Sequence, residues 1–150
     1  MASTLTKILL HVVFSTKRRA DQIPPQVEDD LYGFFGGVCR RMDSLLKVAG
    51  GTANHVHLLI NLGKTVALSD LMLNIKRDSS KKIKELAPTL SDFHWQDGYF
   101  AFSIGESGVE DLTAYIRKQK EHHQRIDFKD EVRALLQRYK VEYDEAYVWD

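Results

Sequence analysis

Hydrophobic patterns along the 150 residues run strand, helix, strand, strand, helix, strand, which predicts an α+β domain of the split βαβ, ferredoxin-like (RRM-like) kind. Three observations support it. The apolar stretches around Ile8 to Phe14 and Val56 to Ile60 are short and β-rich. Apolar residues between Val27 and Met42, and again between Leu68 and Leu86, recur at helical spacing. Gly50-Gly51 separates the second and third strand patterns and joins them as a hairpin. The expected core is a four-stranded antiparallel sheet with helices on one face, followed by additional C-terminal helices.

Residues 1–150 are expected to form one domain, large enough to bury a core without staples. Lysine plus arginine and aspartate plus glutamate each number 21, so the net charge is zero and bulk electrostatics predict no polyanion partner. The charge is unevenly spread. Basic residues cluster at Lys17-Arg18-Arg19, Arg40-Arg41, and Lys76-Arg77 with Lys81, Lys82 and Lys84, whereas Glu28-Asp29-Asp30 gathers acid. Such runs are most often solvated faces. Cys39 is the only cysteine, which excludes an intramolecular disulfide and fits a reducing, cytoplasmic setting. Its apolar neighbours make it a packing residue. The apolar start is too short for a membrane span and has no small-residue cleavage site.

In chain order, the first strand spans about Leu5 to Phe14 and ends in the basic stretch to Arg19. Pro24-Pro25 marks a helix start, after which Val27, Leu31, Phe34, Phe35, Val38, Cys39 and Met42 form one apolar stripe. Gly33, Gly36 and Gly37 each cost that helix about 1 kcal/mol relative to alanine, so a close backbone neighbour is expected there. Leu45 to Ala49 is the second strand. Ser69 is the expected cap of the second helix, Asp70 suits its N-terminal dipole, and Pro88 lies beyond its end. Tyr99 to Ile104 forms the fourth strand, with Phe100, Phe102 and Ile104 on one face.

Ser107-Gly108-Val109-Glu110 has the pattern of a capping box. The helix it opens buries Val109, Leu112 and Ile116, and it presents Tyr115, Lys118, Gln119 and His122 at i, i+3, i+4 and i+7. Asp127, Asp130 and Glu131 begin a last helix reaching about Tyr139, with Val132, Leu135, Leu136 and Tyr139 inward. No internal repeat or low-complexity linker interrupts the chain.

The chemistry concentrates in Asn54-His55-Val56-His57-Leu58-Leu59-Ile60. In a strand, His55 and His57 share one face, and two neutral imidazoles side by side make half of a metal site. On the tripeptide alone, two hydrogen-bonded core histidines explain the residues equally well. His11 and His94 read as structural. His122 and His123 fit extra ligands, DNA contacts or an exposed helical end.

Four blocks resemble, in order, the single-tyrosine HUH transposases of small bacterial insertion sequences, including their relatives associated with repetitive extragenic palindromes. They are His11-Val12-Val13-Phe14-Ser15-Thr16-Lys17, Asn54 to Ile60, Trp95 to Ser103, and Tyr115-Ile116-Arg117-Lys118-Gln119 with His122-His123. The resemblance implies that His55, His57 and Gln119 hold a divalent Mg²⁺ or Mn²⁺ and that Tyr115 attacks DNA. It implies cleavage and rejoining of single-stranded DNA at hairpin-bearing ends through a 5′-phosphotyrosine, without a nucleotide cofactor or a membrane. Lys17, Arg18, Arg19, Lys76, Arg77, Lys81 and Lys84 are candidate phosphate contacts. Phe100 stands where a small residue is expected.

A homodimer with two sites is also expected, because one nucleophile per chain must process two DNA ends. Two glycines between the fourth strand and the tyrosine helix, Gly105 and Gly108, give that helix freedom to reach its own or its partner's histidines. A domesticated palindrome-processing relative and a rolling-circle-type nicking enzyme share much of this pattern; Lys118 suits the latter. A water-using phosphodiesterase and a non-catalytic nucleic-acid-binding module also remain open.

Overall fold

The computed structural model describes residues 3–150. Its elements are β1 (Leu9–Ser15), α1 (Glu28–Arg41), β2 (Leu45–Gly51), β3 (His55–Asn61), α2 (Leu68–Leu86), β4 (Phe100–Ile104), α3 (Val109–Arg117), α4 (Gln119–His122) and α5 (Phe128–Arg138). The strands lie in the order β2-β3-β1-β4, and every neighbouring pair is antiparallel. This is the predicted split βαβ sheet.

Strand periodicity divides the residues between two faces. On one face, Val12, Phe14, Val56, Leu58 and Ile60 pack against Leu31 and Phe35 of α1 and Leu71 and Ile75 of α2. The other face is covered by the C-terminal helices. There Val13, Phe100 and Phe102 meet Phe128, Val132, Leu136 and Trp149, while Leu9, Val48 and Leu59 meet Ile116. Because both faces are covered, β3 is buried from His55 to Ile60. That burial puts His55 and His57 beneath the C-terminal helices.

Several local signals resolve differently from their sequence patterns. β1 begins at Leu9, with Leu5 and Ile8 exposed outside it. Gly50 and Gly51 do not form the hairpin turn; they pair with His57 and Val56 inside β2. The turn comes later, closed by the Thr52 amide donating to the His55 carbonyl at 3.0 Å. Ser69 lies inside α2, whose N-cap is Ala67. The capping box does not form either, since Glu106–Gly108 is a 3-10 turn and Gly108 precedes α3 without a side-chain cap. Asp127 does cap α5, accepting from the Asp130 amide at 2.8 Å.

Close backbone approach occurs at Gly50 rather than in α1. A Cβ on Gly33 would meet nothing within 4 Å, and one on Gly36 or Gly37 only ordinary side-chain contacts. A Cβ on Gly50 would lie 2.3 Å from the carbonyl oxygen of Ile116. Glycine at position 50 therefore lets α3 rest directly on β2, and α3 carries Tyr115.

Gly50→Ala should displace α3 and destabilise the chain by about 1–3 kcal/mol, the usual range for overpacking. Gly33→Ala should stabilise it by up to about 1 kcal/mol through helix propensity. Denaturant melts of the two variants measure both effects. Cys39 supplies a pH-dependent prediction. Burial pushes its thiol up to about 11 from 9.0, only partly offset by Arg40, so it stays protonated at pH 8. Alkylation at that pH should be roughly a hundredfold slower in the folded chain than in the unfolded one, following the thiolate fraction.

Candidate active site

The β-hairpin places His55 and His57 on the face covered by α3, α4 and α5, and both are 0% exposed. Residues from those helices complete the cluster. α3 contributes Tyr115, and α4 contributes Gln119 and His122, with His123 at its C-terminal end. α5 contributes Glu131 from its first turn. Tyr115 and Gln119 do not share one continuous helix as their spacing suggested, because Lys118 (φ −102°, ψ 20°) separates α3 from α4. Both side chains nevertheless converge on Glu131. The Tyr115 ring stands 5.8 Å from that of His57.

Glu131 is the hub, with 2% of its surface exposed. Its Oε1 lies 3.0 Å from His57 Nε2, 2.9 Å from His123 Nε2 and 3.6 Å from His55 Nε2. Its Oε2 accepts hydrogen bonds from Gln119 Nε2 at 3.0 Å and from the Tyr115 hydroxyl. Gln119 Oε1 faces His55 Nε2 at 2.9 Å, and His122 Nε2 is 3.4 Å from the Tyr115 oxygen. Behind His57, His11 Nε2 approaches His57 Nδ1 to 2.7 Å, with the two rings stacked.

Hydrogen bonding assigns the protonation of His55. Asn54 Nδ2 donates to the Arg19 carbonyl, which turns Oδ1 of that amide toward His55 Nδ1 at 2.8 Å. An amide oxygen only accepts, so Nδ1 carries the proton and Nε2 presents a lone pair. That lone pair faces two acceptor oxygens, from Gln119 and Glu131. Burial, followed by the neighbouring His57, lowers the His55 pKa to about 3, so no second proton fills the gap at neutral pH.

A divalent cation fits this donor set. One ligand atom from each of His55, His57, His123 and Glu131 lies within 4.8 Å of the others. Tetrahedral ligands about 2.0–2.1 Å from a cation stand about 3.3 Å apart, within the spread of the Glu131 contacts. Burial opposes ionisation of Glu131, but bonds from His123, His57 and Tyr115 outweigh it and hold the carboxyl far below the ordinary range. Tyr115 moves the other way: burial, then the Glu131 charge, keeps its phenol protonated. A cavity of about 620 Å³ is lined in part by His11, Gly108, Tyr115, His122 and Glu131.

Sequence reasoning missed Glu131 as a member of the cluster and left His123 open between ligand, DNA contact and exposed helical end; the structure puts His123 in the cluster. His11, read as structural, is buried behind His57, whereas His94 is exposed. For Glu131 a signal existed. With Phe128, Val132, Leu135 and Leu136 it falls on the apolar stripe of α5, where an unpaired acid calls for a buried partner.

The candidate phosphate contacts divide. Lys76 Nζ donates to the carbonyls of Gln96, Asp97 and Gly98, the last two at 2.9 Å, so it stitches a loop instead of facing a free surface. Arg19 donates to the Trp149 carbonyl at 3.0 Å, Lys17 pairs with Asp97 at 3.4 Å, and Arg77 with Asp78 at 3.0 Å. Arg18 and Lys81 are exposed and Lys84 is half-buried. Phe100 is buried against Trp149.

Residues 4–119 match the family described as "Transposase IS200 like". The chain belongs to that family. No curated protein sequence matches it significantly. Among solved structures, a candidate transposase from Deinococcus radiodurans R1 superposes on this IS200-like transposase with a TM-score of 0.64 at 19% identity, covering 77% of this chain and 93% of that one. A REP-associated tyrosine transposase bound to a REP hairpin gives 0.60 at 14% identity, covering 84% of this chain and 74% of that one. At these identities the likeness establishes the fold. The family match ends at Gln119, so His123 and Glu131 lie beyond it. No helix among the described residues is long and apolar enough to cross a membrane.

Lys76→Met should lower stability by about 1–3 kcal/mol, because it leaves loop carbonyls without their charged donor. Thermal melting of the variant checks the structural role; an unchanged midpoint would return Lys76 to the surface charges.

Proposed function

We propose that this IS200-like transposase cleaves and rejoins single-stranded DNA, with Tyr115 as the nucleophile. The observation that supports this most directly is the Tyr115 hydroxyl bonded to Glu131, whose other oxygen faces the His57 and His123 nitrogens. The nucleophile thus shares a carboxylate with the candidate metal donors. When bound by His55 and His57 with Gln119, a divalent ion such as Mg²⁺ or Mn²⁺ supplies Lewis-acid stabilisation of charge on the attacked phosphate.

The remaining steps belong to the side chains. In the resting site the phenol is protonated and aimed by Glu131, with His122 beside it. As the Tyr115 oxygen bonds to phosphorus, its proton passes to Glu131 Oε2, and the bond from phosphorus to the 3′-oxygen breaks. The departing oxygen takes a proton from Glu131 and leaves as a 3′-hydroxyl, with the 5′-phosphate held on Tyr115. One phosphodiester replaces another, so no ATP is consumed. Attack by a 3′-hydroxyl from another strand reverses the step and joins DNA.

Substrates are single strands with hairpin ends, a class suggested by the structural neighbour that binds a REP hairpin. Exposed Arg18 and Lys81 are suited to phosphate contact. A homodimer would bring two such sites to two DNA ends.

Tyr115→Phe should abolish the covalent protein–DNA adduct and strand cleavage while hairpin affinity stays within about twofold. Denaturing gels and mass spectrometry detect the adduct. Adduct at the wild-type yield in that variant would refute the assignment, and free cleaved ends without adduct in the wild type would point to water as the nucleophile.

A further inference from the structure

We infer that His123 and Glu131, both beyond the family-matched segment, are ligands that join His55 and His57 in a three-histidine, one-carboxylate centre selective for a transition-metal ion over Mg²⁺. This ligand set revises the metal assignment of the proposed function, putting His123 and Glu131 in place of Gln119 and a transition metal in place of Mg²⁺, and it rests on that reading only for the location of the site.

Charge accounting supports the inference first. Glu131 is a buried carboxylate, and among the described residues its ion-pair partners are all histidines: His55, His57, His122 and His123. No lysine or arginine among the described residues pairs with it. The hydrogen bonds around this buried carboxylate bring no lysine or arginine charge, and a cation among the imidazoles would supply a positive one. The His55 nitrogen that faces it offers a lone pair and not a proton. A divalent cation between these groups satisfies the carboxylate and the imidazoles together.

Geometry and donor chemistry agree. Oε1 is the carboxylate atom turned to all three Nε2 atoms, while Oε2 is occupied by Gln119 and Tyr115. The outer nitrogens of the two strand histidines are tied as metal-bound imidazoles usually are, His55 by Asn54 and Thr52, His57 by His11. Three imidazoles with one carboxylate suit Zn²⁺, Co²⁺ or Mn²⁺, whereas Mg²⁺ takes oxygen ligands and retains water.

The ligands also join separate elements. Two come from β3, one follows α4 and one lies on α5, so metal binding pins the C-terminal helices to the sheet.

The test uses the full chain, stripped by chelator and titrated with Co²⁺ and Mg²⁺ separately, with circular dichroism confirming the fold of each variant. Wild type should bind Co²⁺ at least a hundredfold more tightly than Mg²⁺. His123→Ala and Glu131→Gln should each weaken Co²⁺ binding at least tenfold, and a smaller loss in either variant overturns the ligand set, as does comparable Mg²⁺ affinity. Should a variant fail to fold, proton NMR of the Co²⁺-loaded wild type decides: three strongly shifted imidazole N–H signals are expected, and two would overturn the inference. Tyr115→Phe serves as the control for the proposed function. Loss of the DNA adduct chemistry with Co²⁺ binding intact separates failure of the nucleophile from failure of the metal centre.

Discussion

The carboxylate of Glu131, buried against imidazoles from β3 and α4, is the constraint on which the site depends. Desolvating a carboxylate costs several kcal/mol unless its oxygens are satisfied, and here each oxygen has a separate task. Oε1 addresses the imidazole nitrogens and Oε2 holds Gln119 and the Tyr115 hydroxyl. The same group therefore sets both the position of the phenol and the orientation of the donors around it. Burial, and then the negative charge of Glu131, raise the Tyr115 pKa and keep the phenol protonated.

That arrangement requires helices on the second face of the sheet, and the strand residues explain why helices pack there. Period-two alternation puts Leu9, Val13, Leu59, Phe100 and Phe102 on the same side as His11, His55 and His57, giving an apolar surface that C-terminal helices must cover. The site is a polar island in an otherwise apolar interface. Gly50 brings α3 onto the sheet at backbone distance, and the break at Lys118 then redirects the chain so that Gln119 and His123 point back toward β3.

Features set by local periodicity were legible in the sequence. Strand and helix order, the shared face of His55 and His57, and the burial of Cys39 follow from the spacing of neighbouring residues. Capping and turn signals failed where tertiary packing overrode them. Gly50-Gly51 looks like a turn because glycines favour turns, yet it serves as the seat of α3; Ser69 looks like a cap, yet α2 begins one residue earlier. Lys76 read as surface charge because sequence does not show which carbonyls a lysine will reach. Tyr115 and Gln119 were visible through family resemblance, whereas Glu131 lies outside the matched residues and its partners sit 74 and 8 positions away.

The division of the site along the chain has a physical consequence. Its histidine pair and tyrosine lie within the family-matched residues 4–119, while its carboxylate and third imidazole come later. Neither part is stable as arranged without the other: the β3 imidazoles would lose their apolar cover, and Glu131 would have no reason to leave water. α5 supplies both, since Phe128, Val132 and Leu136 bury apolar area against Val13, Phe100 and Phe102 while Glu131 projects from the same stripe. Apolar burial at about 25 cal/mol per Å² drives that docking, and docking carries the carboxylate into place. With the sheet side closed by this packing, Tyr115 is reached through a cavity beside Gly108 and His122 and through a second one beside Lys118 and Arg125.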